Sequence, residues 1–209
     1  MSIYAVIDFE TTGMSPALGA RATEVAVVLV DNGCVVDRYQ SLMNAGAFIP
    51  YEIQALTGIT NAMRRSAPPA EEVMREAADF VGAYPLVAHN AAFDRKFWNA
   101  ELQRVGRRSA ADFVCSLLLS RRLVPEAPNH KLATLVSTLR LPATGRYHRA
   151  LADAEATANL FLHLSQTLAQ RFCLAGLSLE LLLAVQRTPR VQLERCVERF
   201  RDQLGVVAV

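Results

Sequence analysis

The chain has 209 residues, of which 52% are hydrophobic and 20% charged, with a formal net charge of +2. That length suits one domain with room for an appendage, and the composition excludes both a disordered chain and one that needs disulfides to hold a core. A charge so near zero makes no general electrostatic claim on nucleic acid, although the basic residues are nearly all Arg, with Lys96 and Lys131 the only lysines.

Residues 3–7 form a continuous apolar run that reads as a buried strand, and residues 25–30 read the same way. No basic region precedes the first run, so the sequence predicts no signal peptide, and the second is far too short to span a bilayer. Asp31-Asn32-Gly33 is a turn signal that joins residues 25–30 to a second hairpin arm at residues 34–42. Residues 51–56 suit a short helix stopped at Gly58. Pro68-Pro69 open a helix that runs to about Gly82. A short strand follows at residues 86–89, then a helix at 91–105 closed by Gly106, then a strand at 113–115. Leu132, Leu135, Val136 and Leu139 stand at helical spacing within residues 130–139, ahead of Pro142. Residues 150–172 form a long helix with Leu160, Leu164 and Leu168 on one stripe.

A hairpin followed by alternating strands and helices predicts an α/β domain with a mixed sheet over residues 1–173. Residues 174–209 read as a helical appendage. It has a Leu-rich stretch at 179–183, then Thr188 as N-cap with Pro189 at the first helical position. Leu193, Cys196, Val197, Phe200 and Leu204 form an amphipathic stripe before a stop at Gly205. The appendage either packs on its own domain or offers a surface to a second copy or a polymerase partner. Cys34, Cys115, Cys173 and Cys196 share no close spacing, which argues against a zinc site or redox pair and suits a reducing cytoplasm.

The chemistry lies in four acids and a histidine. Asp8 and Glu10 are two apart, which on a strand places both side chains on one face. Two such acids at the end of a buried strand are costly without a compensating cation, and Mg²⁺ or Mn²⁺ prefers hard oxygen ligands. Asp94 falls in the first turn of the helix after residues 86–89, behind His89 and Asn90. Taken alone, Asp94 reads as an acid favouring the helix dipole, Asn90 as an N-cap and His89 as a hydrogen-bonded structural residue. His148 and Asp153 are five apart, which on one helix turns them about 140° from each other. The spacing therefore puts Asp153 on the helix and His148 on the loop before it. A fixed ligand and a mobile base have suitable places there, and an imidazole's ordinary pKa near 6.5 suits proton removal at neutral pH. Two divalent ions about 3.5–4 Å apart with such a base are equipment for phosphodiester hydrolysis. The sequence holds no G-x-S-x-G, H-E-x-x-H, Walker loop or G-x-G-x-x-G.

Three segments carry a resemblance: Ile7-Asp8-Phe9-Glu10-Thr11-Thr12-Gly13, Ala88-His89-Asn90-Ala91-Ala92-Phe93-Asp94, and His148-Arg149-Ala150-Leu151-Ala152-Asp153-Ala154. With Leu56-Thr57-Gly58-Ile59-Thr60 beside them, residues 3–172 resemble the DEDD 3′–5′ exonucleases, histidine subgroup, the family of the proofreading epsilon subunit of bacterial DNA polymerase III. The resemblance implies a ribonuclease-H-like mixed sheet flanked by helices. It implies Asp8, Glu10 and Asp153 as ligands of one Mg²⁺ or Mn²⁺, Asp8 shared by a second ion, Asp94 completing the site directly or through water, and His148 as general base. The tyrosine subgroup would place Tyr at position 149, where Arg149 stands. Thr11 and Thr12 would lie near the terminal nucleotide, Leu56 would wedge against terminal bases, and Asn90 and Phe93 would line the site. Arg146 and Arg149 are candidates for phosphate contacts.

The implied activity is release of nucleoside 5′-monophosphates from single-stranded 3′ ends in the cytoplasm, on DNA ahead of RNA. An RNA-trimming enzyme of the same fold is the alternative. A noncatalytic scaffold docking through its C-terminal helices would have lost a ligand or the base, and all five residues are present. The short helical tail, with no sliding-clamp motif, favours an independent enzyme over a polymerase subunit.

Overall fold

The structure, a computed structural model, describes residues 3–142 and 144–204, with side chains through residue 201. Five strands form one sheet: β1 (Tyr4–Thr11), β2 (Ala22–Asp31), β3 (Cys34–Leu42), β4 (Leu86–Ala88) and β5 (Phe113–Cys115), in the order β3-β2-β1-β4-β5. The first three are antiparallel neighbours, while β4 runs parallel to β1 and β5 parallel to β4. This is the mixed sheet that the sequence predicts. Asn32 and Gly33 sit at φ 47° and 83°, the two positive values a tight hairpin turn demands.

Nine helices accompany the sheet among the described residues: α1 (Tyr51–Thr57), α2 (Asn61–Ser66), α3 (Ala70–Val81), α4 (Ala92–Arg104), α5 (Ser116–Leu123), α6 (Leu132–Thr138), α7 (Ala150–Arg171), α8 (Leu179–Arg187) and α9 (Leu193–Leu204). Two were not expected from the sequence. The Thr60 side chain opens α2 by accepting the Met63 N–H at 3.1 Å. Helix α5 follows β5 with no connecting residue, so no turn signal marks its start.

The Thr188-Pro189 expectation needs correction. Thr188 closes α8, its hydroxyl donating to the Ala184 carbonyl at 2.8 Å, and Pro189 instead precedes a short 3-10 turn, Arg190–Gln192, that leads into α9. Leu193, Cys196 and Val197 of the predicted stripe are buried, and Phe200 packs against the core. The Leu204 side chain and Gly205 lie outside the described residues.

Strand alternation positions the site. On β1, Ala5, Ile7 and Phe9 face a core built with Val73, Met74 and Ala77 of α3 and Phe97, Trp98 and Leu102 of α4. Tyr4 and Val6 face the other way, into a core with Ala154, Ala158, Phe161 and Leu164 of α7. A side-chain period of two carries that second row on to Asp8 and Glu10, which therefore point to the α7 side. On β2 the same row runs Val30, Val28, Ala26 and ends on Glu24.

Helices α8 and α9 bury Leu181, Leu182, Val185, Leu193, Cys196 and Val197 in the same core as α7. Gln186 of α8 also occupies the open edge of β5. It accepts the Cys115 N–H at 2.6 Å and donates to the Phe113 carbonyl at 3.1 Å.

Candidate active site

The predicted acids meet at the C-terminal ends of the parallel pair β1 and β4. Asp153 lies in the first turn of α7, and His148 on the loop before it, as their spacing implied. Asp153 Oδ2 accepts the His148 backbone N–H at 2.9 Å, while Oδ1 is buried with no protein partner. Glu10, His148 and Asp153 each offer a ligand atom, all within 4.8 Å of one another. Glu10 and Asp153 are buried, whereas His148 is exposed and sits at φ 63°, an uncommon conformation for a residue other than glycine.

Asp94 arrives from the opposite face of the sheet. Strand β4 ends at Ala88, which leaves the late part of β1 without a parallel neighbour. Asp94, only 2% exposed in the first turn of α4, fills the gap, its Oδ1 accepting the Phe9 N–H at 3.3 Å. The acid thus completes the ladder that β4 abandons and brings a carboxylate to the row of Asp8 and Glu10.

So many buried acids strain one another electrostatically. Burial, then the charges of Asp94, Asp153, Glu10 and Glu24, push Asp8 well above the ordinary carboxylate range. Burial, then Asp153 and Glu24, raise Glu10 to about 8, with Arg149 opposing. Burial raises Asp94 to about 7 against its hydrogen bond from Phe9, and burial likewise raises Asp153 against its bond from His148. Crowded hard oxygens with one orphaned buried carboxylate atom suit a divalent cation, which would restore the charged form of each acid. Glu10, Asp153 and the His148 imidazole form the tight trio, and Asp8 and Asp94 flank it.

The predicted substrate residues are placed unevenly. The Thr11 hydroxyl donates to the Gly13 carbonyl at 2.7 Å, and the Thr12 hydroxyl accepts the Arg21 N–H at 3.0 Å, so both shape the turn after β1. Leu56 is 47% exposed, and Phe48 and Tyr51, earlier in the same segment, are exposed as well. The following Gly58 has φ 76°, and a Cβ there would stand 3.3 Å from Arg146, so the Leu56 segment abuts the His148 loop. Phe93 is half-buried, 4.9 Å from the Phe97 ring. Asn90 is exposed at φ 68° with no cap hydrogen bond from its side chain; Ala91 occupies the N-cap position. It corrects the capping reading: Asn serves here because it tolerates a left-handed backbone.

Arg149 was a candidate phosphate contact, and the structure gives its fork another partner. Its Nε and Nη2 donate to Glu24 at 3.1 and 2.8 Å. Sequence reasoning missed Glu24. A visible signal existed, an acid opening the apolar run of β2 as Glu10 closes that of β1, and the two pair directly across the sheet. A second missed clasp joins Arg21 to buried Glu101 of α4 at 2.8 and 2.9 Å, which holds the turn after β1 against the helix that carries Asp94.

His89 is structural, as expected from its strand-end position. Its Nε2 faces the His130 carbonyl at 3.0 Å and so carries the proton, and Nδ1 accepts from the Ser116 hydroxyl at 2.9 Å. Burial lowers its pKa to about 4. The unfolded chain takes up this proton near the ordinary value of about 6.5, so stability tied to neutral His89 is present above that pH and lost as pH falls toward 4. Between pH 7 and 5 the loss is about 2 kcal/mol. Urea unfolding at both pH values should show wild type losing that much more than His89→Gln; equal losses would place the imidazole in solvent.

A cavity of about 610 Å³, lined by Tyr4, Leu141, Phe161 and Leu177 among others, opens elsewhere on the α7 side, and no site residue lines it.

The chain is similar to known exonucleases in sequence and in fold. The exonuclease family RNase_T matches residues 5–161. The chain is 39% identical over 169 residues to DNA polymerase III PolC-type of Oceanobacillus iheyensis, covering 80% of this chain and 12% of that protein. It is 35% identical over 168 residues to the 3′-5′ exonuclease DinG of Bacillus subtilis, covering 80% of this chain and 18% of that protein. The chain thus spans less than a fifth of the length of these curated relatives. Among solved structures, exonuclease X in complex with 5′ overhanging duplex DNA superposes with a TM-score of 0.70 at 27% identity, over 88% of this chain and 99% of that one. The nuclease domain of 3′hExo, a DEDDh family member bound to rAMP, shares the fold with a TM-score of 0.67 at 21% identity, over 79% of this chain and 92% of that one.

Proposed function

The chain belongs to the RNase_T exonuclease family, within the DEDD superfamily, and from that premise we propose that it is a metal-dependent 3′–5′ exonuclease of the histidine subgroup, releasing nucleoside 5′-monophosphates from single-stranded DNA ends. One observation carries the reading. Asp153 presents a buried carboxylate oxygen with no partner, within reach of Glu10 and beside an exposed imidazole.

In this reading Asp8, Glu10, Asp94 and Asp153 hold two divalent ions, Mg²⁺ or Mn²⁺. Such ions, when bound, supply water activation and neutralise charge on the phosphate and the leaving oxygen. The chain's own residues do the rest. His148 takes the proton of the attacking water from its exposed loop. Asp94 keeps β1 in register where β4 ends. Leu56 and Phe93 border the terminal nucleotide, with Thr11, Thr12 and Asn90 shaping the backbone beneath it.

DNA is placed ahead of RNA because relatives above 30% identity are named for DNA polymerase III. The same names support work beside a polymerase, against the independent enzyme that the short tail favours. The exposed faces of α8 and α9 are where a polymerase or a second copy would dock. No helix among the described residues is long and apolar enough to cross a membrane, and we place the enzyme in the cytoplasm.

The test uses 5′-labelled DNA and RNA single strands of matched sequence. With Mn²⁺ or Mg²⁺ the DNA should shorten one nucleotide at a time with release of 5′-monophosphates, and chelation should stop the reaction. Faster shortening of RNA would favour the RNA-trimming alternative, and no shortening of either strand would sink the exonuclease reading. Without substrate, Mn²⁺ should raise the melting temperature, since it binds the folded cluster and relieves its repulsion.

A further inference from the structure

We propose that the pair formed by buried Glu24 and half-buried Arg149 is a positioning strut that presents His148 to the reacting water. The inference rests on the reading of His148 as the base.

Glu24 is fully buried on β2, directly across from Glu10 in the sheet register. Both its oxygens are fully engaged. Oε1 accepts from Arg149 Nη2 at 2.8 Å and from Gln40 Nε2 at 2.6 Å, and Oε2 accepts from Arg149 Nε and from the Ala150 backbone N–H, each at 3.1 Å. The acid therefore holds a guanidinium fork and the first amide of α7 at once. Four donors on one carboxylate leave it no oxygen for a cation, which separates Glu24 from the acids of the site, where Asp153 keeps an oxygen free.

The residue so gripped follows His148 directly. His148 holds a left-handed backbone that a non-glycine residue adopts only when its surroundings impose it. Two attachments impose it: Arg149 on Glu24 after the turn, and the His148 N–H on Asp153 Oδ2 at 2.9 Å within it. The imidazole itself is exposed and makes no hydrogen bond among the described residues. The point from which it reaches toward Glu10 and Asp153 is thus set by the backbone, and the strut helps to hold that backbone. A single point charge would neutralise Glu24 equally well, but only a planar fork fixes the direction of the chain through two parallel bonds.

Arg149→Lys isolates this role, because it keeps the positive charge beside Glu24 and removes the fork. Partners that orient a functional residue are worth about 10–100-fold in activity, and kcat should fall by that factor. KM and the Mn²⁺-induced rise in melting temperature should stay within about twofold of wild type. In the metal-free protein, hydrogen exchange at the His148 amide should accelerate at least about tenfold, with no change at Ala158 in the middle of α7. In a His148→Ala background the Lys substitution should change kcat by less than about twofold, since the group it orients is gone.

A wild-type kcat for Arg149→Lys would overturn the proposal, as would its full effect persisting in the His148→Ala background, which would make the pair a support of the acids. If His148→Ala alone retained the wild-type rate, the assignment of the base would fail instead, and the exchange result would still report on the strut. Should Arg149→Lys fold poorly, Glu24→Gln takes its place, read by kcat, by exchange at the His148 amide and in the His148→Ala background, with the same outcomes; the Mn²⁺ shift is not used for it, because it removes a charge that bears on Asp8 and Glu10.

Discussion

Asp8→Asn is expected to lower exonuclease activity by more than about 10³-fold and, in the same protein, to raise the melting temperature of the metal-free form. The two effects have one cause. Asp8 lies among Asp94, Asp153, Glu10 and Glu24, whose charges together with burial push its carboxyl far above its ordinary range. An amide of nearly the same shape removes one charge from that crowd. A single stabilising substitution is typically worth on the order of 1 kcal/mol, which for a chain of this size is roughly 2–4 °C. The rise given by saturating Mn²⁺ should shrink or vanish, because the charge that draws the cation is the charge that burdens the empty fold. Calorimetry with and without Mn²⁺ reads both terms. A variant less stable than wild type without metal would mean that Asp8 is held by its neighbours and not repelled by them.

His148→Ala is expected to slow hydrolysis by about 10²–10⁴-fold, the range for a positioned proton acceptor, while retaining most of the Mn²⁺-induced stabilisation. The geometry makes this a sharp test. The imidazole stands near enough to Glu10 and Asp153 to serve as a third ligand, so a base and a ligand are both in reach of the same atoms. A base leaves the metal shift in place when it is removed; a ligand takes it away. Loss of the shift in parallel with the rate would reassign His148 to metal binding.

Much of the site was legible because its spacings are local. The two-residue gap between Asp8 and Glu10 fixes one face of β1, and the apolar residues before them say that the strand is buried. The five-residue gap between His148 and Asp153 forbids a shared helix face and so puts His148 on the loop. What was hidden depends on partners far away. Glu24 looks like any acid at a strand end until Arg149, 125 residues later, folds onto it. For the same reason the Arg149 fork read as free for phosphate.

Other misses come from residues that serve two purposes equally well. Asn90 suits an N-cap and a left-handed turn alike, and only the backbone angle decides. Thr188 before Pro189 suits a helix start, yet a Thr hydroxyl bonds just as readily to the carbonyl four residues back, which is what it does at the end of α8. Helix α5 was missed because nothing interrupts the chain between it and β5.

The side chain of Gln186 stands where a sixth strand would pair with β5. During synthesis the hairpin of β2 and β3 and then β4 and β5 leave the ribosome well before residue 186 does. For that interval β5 presents bare amide and carbonyl groups to whatever strand is near. The nascent sheet is therefore most vulnerable to misjoining with another chain just before its last helices emerge, and one amide, delivered late, closes the edge.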